Sequence, residues 1–222
     1  MRIFDEILAI AAERKGGVDA VLADIPMPLD ADALAAIPDS LWLAQMTRGI
    51  MQAGISWRVV ENKWPGIEKA FLNFDIGAIS LQPDDWYYDL CEDTRIIRSP
   101  PKVRAVLDNA EFIRRVSAEH GSFGRKVGDW PAGDFAGLID WLKTEGARLG
   151  GSTGPYVLRF MGKESYILSA DVVARLVAEG VVDKEPTSKK AMAAVQAAFD
   201  QWRAESGHNL TVISRVLAQS VG

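Results

Sequence analysis

The sequence predicts an all-α protein of roughly ten helices, and three observations carry that prediction. Apolar residues recur at helical spacing along most of the 222 residues. Pro, Gly and short polar residues fall where such segments begin and end. Strand evidence is confined to short ambiguous pieces such as Tyr166 to Leu168. The chain is 48% hydrophobic and 25% charged, the proportions of a globular protein. No apolar run approaches the roughly 18 residues a membrane span needs.

Taken in order, an amphipathic helix from Ile3 to Glu13 ends near Gly16-Gly17. A Pro-punctuated acidic stretch follows, with a short helical piece at Ala31 to Ala36. Asp39 or Ser40 is placed to cap the next helix, whose Leu41, Leu43, Ala44, Met46, Ile50 and Met51 predict burial up to Gly54. After Trp57 the residues Val59, Val60, Ile67, Ala70 and Phe71 predict another helix, with Pro65 a point where it breaks. Pro83 opens a short helix to about Cys91. Pro100-Pro101 open the longest one, through Val103, Val106, Leu107, Ala110, Ile113 and Val116. A loop from Gly121 to Gly133 precedes a helix from Phe135 to Leu149. Gly150, Gly151 and Gly154 separate that helix from a short one at Tyr156 to Met161. Ser169 caps Asp171 to Glu179, Thr187 or Ser188 caps an Ala-rich helix to Glu205, and Asn209 opens the last.

The net charge of −5 is unevenly spread. Residues 1–40 hold eight acids against three bases, which accounts for all of it, so residues 41–222 are formally neutral. Thr94 to Lys126 holds eight bases (Arg95, Arg98, Lys102, Arg104, Arg114, Arg115, Arg125, Lys126) against three acids. That stretch reads either as a phosphate-binding face or as an ordinary solvated helix face. Cys91 is the only cysteine, which excludes internal disulfides, Cys-rich zinc sites and iron–sulfur clusters. With Asp5 and Glu6 where an export signal needs apolar residues, a reducing cytoplasm is the expectation. His120 and His208 have no neighbours that make a metal or nucleophilic group.

Three segments together resemble the helix-hairpin-helix DNA glycosylase superfamily, most nearly its 3-methyladenine type. They are Gly49 to Trp57 (GIMQAGISW), Asp93 to Ile113 (DTRIIRSPPKVRAVLDNAEFI) and Leu149 to Leu176, a Gly-rich hairpin followed by an acidic helix start. The resemblance spans about residues 41–220. It implies two parts: a helix-hairpin-helix domain from 41 to 222 and an acidic extension, 1–40, packing on it. It also implies a monofunctional glycosylase that flips alkylated purines out of double-stranded DNA and hydrolyses their N-glycosylic bond. A monomer without cofactor or metal is expected, since Cys91, His120 and His208 cannot reproduce the family's zinc site.

The resemblance assigns roles residue by residue. Asp171 is the candidate catalytic carboxylate, placed to stabilise an oxocarbenium-like sugar and orient water; as an isolated sequence feature it is an acidic first-turn residue. Tyr156 stands where lyase-competent relatives carry a lysine, which implies hydrolysis alone. Tyr156 and Trp57 are candidate base-pocket residues, and Gln52 a plug for the gap left by the flipped nucleotide. Core packing and a plain helix end are the alternatives for Trp57 and Gln52. Gly151, Ser152, Thr153, Gly154 and Lys102 are candidate DNA-backbone contacts. The chain departs from the family in two places: the hairpin is one residue longer, and Gly49 stands where the 3-methyladenine type has an acidic residue. A catalytically inactive DNA-binding or scaffold homologue is the competing reading, and an unrelated helical protein with a small-molecule pocket the remaining one.

Overall fold

The structure, a computed structural model, describes residues 1–221. Those residues are helical without a strand, as periodicity predicts, but they form fourteen α-helices rather than about ten. In chain order these are α1 (Phe4–Lys15), α2 (Val18–Leu22), α3 (Ala31–Ala35), α4 (Asp39–Gln52), α5 (Trp57–Ala70), α6 (Ile76–Ser80) and α7 (Trp86–Glu92). There follow α8 (Pro100–His120), α9 (Phe123–Gly128), α10 (Phe135–Glu145), α11 (Thr153–Phe160), α12 (Ala170–Ala178), α13 (Lys189–Ser206) and α14 (Leu210–Gln219). The three that periodicity does not show, α2, α6 and α9, have five or six residues each, under two turns. Caps rather than stripes define α6 and α9: Asp75 accepts from Ala78 N at 2.8 Å and Ser122 from Arg125 N at 2.9 Å.

The chain divides into two compact units. The first comprises residues 1–29, 130–138 and 162–222. In it α1 buries Phe4, Ile7 and Ala11 and ends at Gly16, whose left-handed φ of 88° lets its amide reach Ala12 O. Asn209 caps α14 through Val212 N at 3.0 Å, and Ser188 caps α13 through Ala191 N at 3.1 Å. The ambiguous piece around Tyr166 is an extended connector pinned to α14. Ile167 N donates to Ser214 Oγ at 3.0 Å and Ser165 N to Thr211 Oγ1 at 3.2 Å. Tyr166 itself is buried, its ring 4.4 Å from that of Phe199 and 4.7 Å from that of Phe135.

A buried ion cluster closes this unit. Arg175 on α12 donates to Ser220 Oγ at 2.8 Å and Ser220 O at 2.6 Å, and reaches Glu179 at 3.3 Å. The amide and guanidinium of Arg2 each donate to Glu179 at 2.8 Å. Burial pushes the Glu179 carboxyl up, but these donors together outweigh it and hold the group below the ordinary carboxylate range.

The second unit comprises residues 30–129 and 139–161. Its centre is α4, which buries Trp42, Leu43, Met46, Ile50 and Met51, and α8, which buries Val103, Val106, Ala110, Ile113 and Val116. Helix α5 continues through Pro65 instead of breaking there. Neither Asp39 nor Ser40 caps α4, whose N-cap is Pro38. The Asp39 carboxylate instead accepts from Ser117 Oγ and from Phe123 N, tying the start of α4 to α8 and α9.

Candidate functional site

A cavity of about 340 Å3 opens between α4 and α11, inside the second unit. Gln45, Gly49 and Gln52 line it from α4, with Ala53 just beyond; Ser152, Thr153, Tyr156, Val157 and Phe160 line it from the α11 side. The first three recur at i, i+4 and i+7, so one helical face supplies them. Gly49 permits the close approach of α11. A Cβ there would sit 3.1 Å from Thr153 Cγ2 and 3.6 Å from Val157 Cγ2. Tyr156 and Phe160, one turn apart, stack with centroids 5.9 Å apart and planes 23° from parallel. Among these lining residues none carries a carboxylate or a cation.

The hairpin before α11 is held from below. Asn109 on α8, fully buried, donates to Ala147 O at 2.9 Å and accepts from Ala147 N at 2.8 Å. Gly151 then takes a left-handed φ of 62°, and Ser152 a right-handed one of −84°. That alternation turns three successive amides, Gly151 to Thr153, toward one side, a concavity suited to an anion. No described residue accepts from those three amides. The donors end there, because Gly154 N is committed to Leu149 O at 3.1 Å and Pro155 has no N–H. Gly154 is a packing glycine, since a Cβ there would fall 2.4 Å from Leu149 O. Thr153 and Gly154 thus belong to the helix and not to a loop, so the exposed turn is shorter than the run of glycines suggests.

Of the other expected site residues, Gln52 lines the cavity and Trp57 and Asp171 are not among its lining. Gln52 Nε2 donates to Glu61 Oε1 at 3.4 Å, and Glu61 accepts from Arg48 NH1 at 2.9 and 3.0 Å. Arg48 lies over the Trp64 ring at 4.1 Å. Trp57, the first residue of α5, is 63% exposed and does not line the cavity. Asp171 belongs to the first unit, in the first turn of α12, and is exposed. Ser169 caps that helix, accepting from Val172 N at 3.3 Å.

Lys102, expected at a DNA backbone, has a different place. It is 8% exposed, and its ammonium donates to Met51 O at 2.9 Å and Ala53 O at 2.7 Å, the free carbonyls at the end of α4. Burial, and secondarily the charge of Arg148, pulls its pKa below the ordinary lysine value. Most of the other bases in the Thr94–Lys126 stretch also have partners. Arg95 pairs with Asp93, Arg114 with Glu111, Arg115 with Glu145, and Arg125 with Asp32 and Asp129. Arg104 lies 4.3 Å over Tyr87 and Lys126 6.0 Å from the Trp141 ring centroid. The surface they form is closer to a solvated, internally paired face than to a free phosphate strip. Among the described residues, no group of three or more His, Cys, Asp or Glu is arranged to hold a metal ion, and no helix is long and apolar enough to cross a membrane.

Gln45 and Phe160 were not anticipated from sequence. The usable signal was their spacing: each stands four residues from a candidate position, Gly49 and Tyr156, on the same helical face. Residues 39–132 match a family model described as methyladenine glycosylase. The match takes in α4 to α9 and leaves α11 and α12 outside it. Three solved structures of 3-methyladenine DNA glycosylase I are also similar. One, from Staphylococcus aureus, is 18% identical, with 69% of this chain and 91% of that one covered and a TM-score of 0.49. A second is 24% identical over 61% and 80% of the two chains, with a TM-score of 0.47. A third, a single-residue variant in complex with 3-methyladenine, is 20% identical over 56% and 77%, with a TM-score of 0.49.

Proposed function

From the match of residues 39–132 to the methyladenine glycosylase family, we propose that this chain is a monofunctional DNA N-glycosylase of base-excision repair. Its substrates in this reading are alkylated purines such as 3-methyladenine in double-stranded DNA. The observation that supports it best is the cavity beside the hairpin. About 340 Å3 walled by a Tyr156–Phe160 stack and polar amides lies near the small end of ligand pockets, the size class of a single flipped base.

The chemistry assigned to each residue is as follows. The amides of Gly151, Ser152 and Thr153 receive a backbone phosphate, which positions the duplex without reading sequence. Extrusion costs a few kcal/mol, least for a damaged base. Gln52 fills the gap in the stack, the Tyr156 ring receives the base, and the exposed Trp57 indole supplies further aromatic surface. As the C1′–N bond breaks, its electron pair leaves with the cationic alkylated base, which departs neutral; Asp171 stabilises the oxocarbenium-like sugar and orients water, whose hydroxyl ends on C1′ while its proton passes to the carboxylate and on to solvent. With Tyr156 in the lyase-lysine position no Schiff base forms, and the product is an abasic site. A cytoplasmic monomer without cofactor completes this reading.

A second reading, a DNA-binding homologue without catalysis, draws on one observation: no carboxylate lines the cavity. Duplex DNA carrying methylated purines separates the two. Base release that disappears in Asp171→Asn supports the glycosylase. Salt-sensitive binding without release supports the homologue, and no binding at low salt sinks both.

A further inference from the structure

We propose that Glu61 and Arg48 are positioning residues for Gln52, holding its carboxamide ready to enter the gap that a flipped nucleotide leaves. The proposal rests on the gap-filling role given to Gln52 above. All the residues it uses belong to the second unit. Gln52 is the last residue of α4, with Arg48 one turn before it on the same face, and Glu61 reaches both from α5. The Gln52 Nε2 donates to Glu61 Oε1 at 3.4 Å, and Arg48 NH1 donates to both oxygens of that carboxylate, at 2.9 and 3.0 Å. Arg48 is in turn anchored, its guanidinium 4.1 Å over the Trp64 ring. Trp64, 9% exposed, donates from Nε1 to Glu68 at 2.8 Å and stacks on Phe74 with centroids 5.6 Å apart. On the main-chain side, Lys102 holds the carbonyls of Met51 and Ala53, the two neighbours of Gln52.

Each partner has its own effect. A free glutamine side chain gives up several rotamers on entering a base stack, and one already held gives up fewer, so its insertion is more favourable. Glu61 takes one N–H of the carboxamide. The other N–H and both acceptor positions of Oε1 stay available for the base left across the gap. A lone carboxylate beside the gap would repel the phosphates on either side, and Arg48 cancels that charge. Neither Arg48 nor Glu61 lines the cavity, so both act through Gln52 and not on the flipped base.

The test measures the affinity of the full chain for two duplexes of one sequence, intact or carrying a tetrahydrofuran abasic analogue, by fluorescence anisotropy. The readout is the ratio of the two affinities, with urea unfolding beside it. The wild type is expected to favour the abasic duplex. Glu61→Ala lowers that ratio about two- to tenfold, the worth of one pre-ordered side chain, and has no further effect in a Gln52→Ala background. Glu61→Gln, which can still accept from Gln52 Nε2, keeps most of the ratio. A purely structural role would lower the urea midpoint, or both affinities together, and leave the ratio alone; that result overturns the proposal. So does a Glu61→Ala loss that persists when Gln52 is absent. A wild type without preference, or a preference that survives Gln52→Ala, overturns the gap-filling role and the proposal with it. Release of methylated bases judges the glycosylase reading separately. Release with a ratio indifferent to Glu61 keeps that reading and refutes the positioning. A ratio that depends on Glu61, without release, does the reverse.

Discussion

Lys102→Met tests whether the basic helix serves the fold or the DNA. The substitution keeps the length of an unbranched side chain and removes only the ammonium. Two carbonyls at the end of α4, Met51 O and Ala53 O, then lose donors at 2.9 and 2.7 Å. A buried group stripped of its partner costs about 1–3 kcal/mol, and hydrogen bonds to charged groups lie at the upper end. The ammonium's own burial, which depresses its pKa, offsets part of that loss. The net expectation is about 2–3 kcal/mol, read as a lower urea midpoint with an unchanged m-value. The salt dependence of DNA binding gives the independent readout. A phosphate contact would lower the slope of log K against log salt by about 0.9 on removal, whereas a structural lysine leaves it unchanged. Stability within about 0.5 kcal/mol of wild type, together with a reduced slope, would refute the structural assignment. The sign of the pH effect also follows. Because the folded pKa lies below the unfolded one, the unfolded chain binds more protons between the two values. Stability therefore rises with pH through that window, below about 10.5.

Three further outcomes are expected. Gly154→Ala places a methyl 2.4 Å from Leu149 O, so the hairpin shifts; a loss of about 1–3 kcal/mol in urea unfolding is the expected result, and a neutral variant contradicts the packing role. Glu179→Gln leaves Arg175 buried without its counter-charge and costs about 3–5 kcal/mol at pH 7. The carboxylate's contribution in the wild type is present above the ordinary range near 4.5 and is lost as pH falls through the lower folded value, so the variant's deficit shrinks in acid. Tyr156→Phe retains base binding while Tyr156→Ala weakens it about tenfold, the worth of one stacking contact; equal losses in both would point to the hydroxyl instead.

Helices longer than about eight residues were legible because their burial patterns span several turns, as with Val103 to Val116 on α8. Of the five- and six-residue helices only α3 was legible; α2, α6 and α9 are too short to repeat a pattern, and the caps at Asp75 and Ser122 that define the latter two resemble any turn residue. At the site, Tyr156, Ser152, Thr153 and Gln52 could be named from motifs and do meet around one cavity. The hydrogen bonds of Lys102 could not be read in advance, because a basic residue on a basic helix gives no sign of which way it points. Its partners are carbonyls 51 and 49 residues earlier in the chain. The same blindness covers the whole basic stretch, whose charge was countable from sequence while its ion pairs, such as Arg115 with Glu145, were not.

The first compact unit is assembled from both ends of the chain, with Arg2 bonded to Glu179 and, through its carbonyl, to Trp202 Nε1 at 3.0 Å, 200 residues away. For a chain made from its N-terminus onward, α1 and α2 are synthesised well before α13 and α14, the later helices they pack against. Phe4, Ile7 and Val21, all buried in the finished unit, stay without their final neighbours until α13 and α14 exist. Such long-range closure slows folding relative to a helical bundle of local contacts. Helices α1 and α2 also carry Asp5, Glu6, Glu13 and Asp19. Deleting them as a dispensable tail would remove one wall of the unit that carries Asp171.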